Sequence, residues 1–128
     1  MPCWLSLTAD GDRTRRAEPL TEAWAMAREV PEVLAVGVNC CTLETAAAAV
    51  APAHAASGRP VVVYPNSGEG WDGARRDWSG SATFDPAAAL GWVADGARLV
   101  GGCCRVTPAQ IGELARLLRG AEGASSVR

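Results

Sequence analysis

The stretch Val33-Leu34-Ala35-Val36-Gly37-Val38-Asn39-Cys40-Cys41 decides the fold of this 128-residue chain. Its first six residues form a near-continuous apolar run, short for a helix and rich in β-branched valine. A run without polar alternation reads as a strand buried on both faces, as in a parallel sheet. Three other stretches read as strands: Cys3-Trp4-Leu5-Ser6-Leu7-Thr8, Pro60-Val61-Val62-Val63-Tyr64 and Ala97-Arg98-Leu99-Val100-Gly101. The four starts fall near residues 3, 33, 60 and 97, a spacing that suits consecutive βα units.

Helical patterns fill the intervals. Residues 20–30 put Leu20, Ala23, Trp24 and Ala27 near one face. Residues 42–57 are alanine-rich, and Pro52 is expected to break or restart that helix. Asp85-Pro86 and Thr107-Pro108 each set a capping side chain before a proline at a first helical position. The last helix, 108–119, is expected to bury Ile111, Leu114, Leu117 and Leu118 and to stop at Gly120. Strands alternating with helices in this way imply an α/β fold of parallel strands with right-handed crossovers. The chain divides into one domain at 1–120 and a flexible tail at 121–128.

Composition narrows the function classes. Twelve basic residues, all arginine, stand against 14 acidic ones, for a formal net charge of −2. That balance points away from nucleic acid. No apolar run reaches the roughly 20 residues that span a bilayer, and the opening residues lack the pattern of a secretory signal. The expected location is therefore the cytoplasm, with neither nucleic-acid nor membrane partners.

In a cytoplasmic chain the five cysteines need a reason. Four come as vicinal pairs, Cys40-Cys41 and Cys103-Cys104. Cys40 and Cys103-Cys104 each follow the carboxyl end of a strand, and in a parallel sheet those ends share one rim. The preceding glycines, Gly37 and Gly101-Gly102, let the backbone bend so that neighbouring thiols converge. Three thiolates with a fourth position open describe catalytic zinc. Small buried hydrophobes and a redox pair are the alternatives that the residues leave standing.

Other candidates carry less. Cys3 reads as core packing, Cys41 as a bystander or an alternative ligand, and His54 as a structural histidine. Asn39 at the rim could orient a polar substrate. Glu69 has no identified partner, and Arg75-Arg76 reads as a solvated pair. Residues 65–84 show no clear helix and form an unusually long connection, in which Trp71 and Trp78 could wall a lid.

Taken together, Gly37-Val38-Asn39-Cys40, Val62-Val63-Tyr64-Pro65-Asn66-Ser67-Gly68-Glu69 and Gly101-Gly102-Cys103-Cys104-Arg105 resemble the homocysteine S-methyltransferase family. The resemblance implies the last four βα units of a (β/α)8 barrel, with Trp4-Leu5-Ser6-Leu7-Thr8 as its fifth strand. It implies zinc on Cys40, Cys103 and Cys104, homocysteine sulfur at the fourth position, and methyl transfer to it. The implied methyl donor is S-methylmethionine or S-adenosylmethionine. The first four strands are absent, so the expected state is a homodimer, a complex with a complementary amino-terminal half, or an inactive fragment that binds zinc.

Overall fold

The computed structural model describes residues 1–125 in backbone and side chains through residue 121. It is an α/β fold with a mixed, mostly parallel sheet. The strands are β1 (Cys3–Asp10), β2 (Arg13–Thr14), β3 (Val33–Asn39), β4 (Val61–Tyr64), β5 (Gly70–Asp72), β6 (Asp77–Ser79) and β7 (Ala97–Val100). The helices are α1 (Leu20–Ala25), continued by a 3-10 turn at Met26–Glu29, α2 (Leu43–Ser57), α3 (Ala88–Ala94) and α4 (Pro108–Ser125). The main sheet runs β2-β1-β3-β4-β7. β1, β3, β4 and β7 pair in parallel, and only the short β2 is antiparallel.

Side chains alternate across this sheet. Val36, Val38, Val61, Val63 and Ala97 point to the helices, where Ala46, Val50, Ala53, Ala89, Trp92 and Leu114 complete one buried core. A register irregularity between Val61 and Val62, opposite Ala97–Leu99, offsets β7 by one residue. Ala97 therefore sits with Val61 on the helix side, while Leu99 joins Val62 on the other face.

That other face departs from expectation. Strands covered on both faces were implied by the apolar runs, yet the described residues supply helices to one face only. Trp4 is 56% exposed and Leu99 39% exposed; with Val62 and Tyr64 they line an open hollow on the sheet. Cys3, expected in the core, is exposed. It starts β1 at the end that β2 does not reach, ahead of the irregularity at Cys3/Trp4.

The helices correct several boundaries. α2 runs unbroken through Pro52. Pro52 lies on the exposed face together with Ala48, so the carbonyl deprived of its helical donor can turn to water. Thr42 caps α2 by accepting from Thr45 N–H, and Gly58 ends it in the left-handed region at φ 67°. In α4 only Leu114 is fully buried among the four expected positions; Leu117 and Leu118 are half-buried and Ile111 is exposed. α4 also passes Gly120 and continues to Ser125, where a flexible tail was expected; residues 126–128 lie outside the described ones. Glycine in a helix costs only about 1 kcal/mol, which the turns on either side offset.

The long connection is not structureless. β5 and β6 form an antiparallel hairpin with Trp71 opposite Trp78. The rings pack at a centroid distance of 5.4 Å and 59° between planes. Asp72 Oδ1 accepts from Ala74 and Arg75 N–H, an Asx turn that closes the hairpin. Arg75 and Arg76 stand exposed in that turn, as expected. No described helix is long and apolar enough to cross a membrane.

Candidate metal centre

The cysteines occupy the carboxyl-terminal rim of the parallel sheet. Cys40 follows β3 and Cys103 follows β7, with only β4 between these strands. Sixty-three residues of sequence separate the two, but their Cα atoms are 5.5 Å apart and their sulfurs are joined as a disulfide. Cys104 Sγ lies 3.9 Å from Cys103 Sγ. The three sulfurs all lie within 4.8 Å of one another.

Local backbone geometry makes this convergence possible. Cys40 adopts φ 49° and Arg105 φ 63°, left-handed values that turn the chain sharply at each motif. Gly37 lets β3 approach β4: a Cβ there would lie 1.7 Å from the Val62 carbonyl oxygen. At Gly102 a Cβ would meet the Val106 side chain at 2.3 Å. These glycines are therefore needed for close approach.

The turn at Cys40 also decides the fate of its neighbour. Cys41 points into the core and is 2% exposed. Burial pushes its thiol up to about 11, so near neutral pH it stays protonated and is a poor ligand. Cys41 is not among the three sulfurs that converge at the rim. His54 is exposed on α2, with Nδ1 2.9 Å from the Arg59 carbonyl, and takes no part in the cluster. Asn39 is half-buried on the open face, where Ser6 Oγ donates to its Oδ1 at 2.8 Å.

Glu69 is the clearest correction. A candidate acid or base with no partner identified from sequence, it accepts from Arg105 Nε at 2.7 Å and from Ser67 Oγ at 2.8 Å. The Arg105 hydrogen bond, and then that of Ser67, hold its carboxyl below the usual range. The fold brings together residues 36 positions apart, which no periodicity could show. Asn66 was likewise unread as a functional residue, although its Oδ1 accepts from Cys104 N–H at 3.2 Å. Trp71 and Trp78 pair with each other across their hairpin.

The Cys103–Cys104 pair stands at the separation of a tetrahedral soft-metal site, and Cys40 would join it once its bond to Cys103 is reduced. Zinc–sulfur bonds of about 2.3 Å place two sulfurs roughly 3.8 Å apart on a tetrahedron, close to the 3.9 Å between Cys103 and Cys104. Once the Cys40–Cys103 bond is reduced, all three are available as thiolates.

Comparison with known proteins matches the homocysteine S-methyltransferase family over residues 1–118. Homocysteine S-methyltransferase of Escherichia coli is 42% identical over 115 residues, 87% of this chain and 37% of that protein. Homocysteine S-methyltransferase 4 of Zea mays is 38% identical over 128 residues, 95% of this chain and 37% of that protein. The homocysteine methyltransferase MmuM of Escherichia coli, in its metallated form, superposes with a TM-score of 0.70 at 37% identity. That match covers 90% of this chain and 35% of MmuM; an oxidized form of MmuM superposes at 0.72. This chain thus spans a little over a third of the length of these relatives, and it belongs to the homocysteine S-methyltransferase family.

Proposed function

We propose that this chain is the zinc-bearing part of a homocysteine S-methyltransferase, the last four βα units of a (β/α)8 barrel. The observation that carries this is the three-cysteine cluster at the strand-end rim, in a chain of this family. Cys40, Cys103 and Cys104 would hold the ion. Zinc there would lower the pKa of a thiol at the fourth position and keep it as a nucleophile near neutral pH. The reaction is transfer of a methyl group from S-methylmethionine or S-adenosylmethionine to homocysteine sulfur, giving methionine. One carbon–sulfur bond forms as the sulfonium's bond breaks. The cationic donor leaves as a neutral thioether, so no general acid is required.

The chain's own residues contribute placement. The turn at Cys104–Arg105 aims two adjacent sulfurs at one point. Asn39, its oxygen engaged by Ser6, would present its amide NH2 to the substrate's polar end. The open face at Trp4, Val62 and Leu99 would be covered by the four βα units that precede the matched region in the family's barrel, or by the same face of a second copy. A closed barrel would remove the free strand edges and exclude water.

Metal analysis of the reduced chain tests the site. About one zinc per chain is expected, lost in Cys103→Ser and retained in Cys3→Ser; equal zinc in both variants would refute the ligand assignment. Methionine formation from homocysteine and S-methylmethionine, with and without an amino-terminal half, tests the activity. The Cys40–Cys103 bond favours one second reading, a thiol redox protein. Thiol titration of the reduced chain separates the two, because zinc-bound thiolates are masked until a chelator removes the metal.

A further inference from the structure

Adjacent residues in a strand point to opposite faces, so Cys103 and Cys104 can share one ion only if the chain turns between them. Their motif closes that turn with a single bond, from Val106 N–H to the Cys103 carbonyl at 3.2 Å. The other hydrogen bonds to the backbones of Cys103 and Cys104 come from residues 65–69, the segment leaving β4. Cys103 N–H donates to the Pro65 carbonyl at 2.7 Å, and Ser67 N–H donates to the Cys104 carbonyl at 3.0 Å. Cys104 N–H donates to Asn66 Oδ1. Beyond the turn, Arg105 Nε is anchored on Glu69.

The same segment grips the other motif. Cys40 N–H donates to the Tyr64 carbonyl at 3.2 Å, and Asn66 N–H donates to the Cys41 carbonyl at 3.0 Å. Residues 64–69 therefore lie between both cysteine-bearing turns and bond to each. Both turns contain a non-glycine residue at positive φ, a conformation that persists only when its surroundings enforce it.

We propose that residues 65–69 form a clasp that sets the spacing of the three sulfurs, with Asn66 and Glu69 as its positioning residues, acting through Cys104 N–H and Arg105. This rests on the metal reading above. Neither side chain ligates the metal: Asn66 fixes the Cys104 backbone, and Glu69 fixes the left-handed residue that follows it. Arg105 is 49% exposed against 13% for Glu69; with the guanidinium open to solvent, the pair contributes little to global stability. Loss of the Glu69 contact should therefore loosen metal binding without unfolding the chain, which separates positioning from a merely structural role.

The test uses the full reduced chain, kept so by a phosphine, and titrates it with Co2+ and then with Zn2+ against a chelator. Glu69→Ala and Asn66→Ala are expected to weaken metal binding by roughly 10–100-fold. They should also lower the sulfur-to-cobalt absorption per bound ion as Cys104 drops out. Glu69→Gln and Asn66→Asp keep an acceptor oxygen and are expected to restore most of the affinity. Thermal unfolding of metal-free Glu69→Ala should match the parent chain; if Asn66→Ala fails to fold, the Glu69 pair decides. Parent and both alanine variants binding cobalt equally, with equal absorption, overturns the clasp alone. A parent chain that takes up no cobalt overturns the metal reading and the clasp with it.

Discussion

At the residue scale, two vicinal cysteine pairs of similar composition are used differently. In Cys103-Cys104 the turn brings both sulfurs to the rim, 3.9 Å apart. In Cys40-Cys41 the positive φ at Cys40 leaves one sulfur at the rim and sends the other into the core. The consequence is chemical. In the metal-free chain near pH 8, iodoacetamide should alkylate exposed Cys3 and Cys104 quickly and Cys41 far more slowly, because only the thiolate reacts and burial lifts the Cys41 thiol to about 11. Peptide mapping of the alkylated chain checks this. Labelling of Cys41 at the rate of Cys3 would mean that its side of the core opens freely.

At the scale of elements, the sheet depends on how closely β3 and β4 approach. Gly37→Ala would set a methyl group 1.7 Å from the Val62 carbonyl oxygen, and backbone on both sides leaves no flexible side chain to yield. Strand separation should cost about 3 kcal/mol or more, read as a lower urea midpoint. Gly112→Ala is the contrasting case. It lies in α4 with nothing within 4 Å of its added Cβ, so it should gain about 0.5–1 kcal/mol from helix propensity. An unchanged midpoint in Gly37→Ala would show that the pairing has slack.

At the scale of the whole molecule, the sheet has helices on one face and an open apolar face on the other. β7 ends the sheet at one side, and at the other β2 covers β1 only at Ala9 and Asp10. Trp4 and Leu99 are partly exposed on the open face. A parallel sheet is ordinarily covered on both faces. Mixing the chain with a polypeptide carrying the βα units that precede the matched region in the Escherichia coli relative should give a complex, with loss of apolar-dye binding. A monomer that unfolds cooperatively, binds no dye and forms no complex would count against a completing partner.

Much of this was legible from sequence because it rests on local rules. Apolar runs at roughly 30-residue spacing specify parallel βα units, and Thr107 before Pro108 marks the start of α4 through its own side chain. Glycine followed by cysteine at two strand ends placed Cys40, Cys103 and Cys104 on one rim, and the structure brings them together. Tertiary structure alone decided the rest. The β5–β6 hairpin depends on a cross-strand tryptophan pair that matches no strand-length run. Pro52 is tolerated because its face of α2 is solvated, which depends on where the sheet lies. Cys3 falls outside the core because it starts β1 at the end that β2 does not cover. The Glu69–Arg105 contact joins residues with no sequence periodicity in common. Backbone preference and hydrophobic pattern act over a few residues and are written along the chain; pairings across the fold exist only once the strands have set their register.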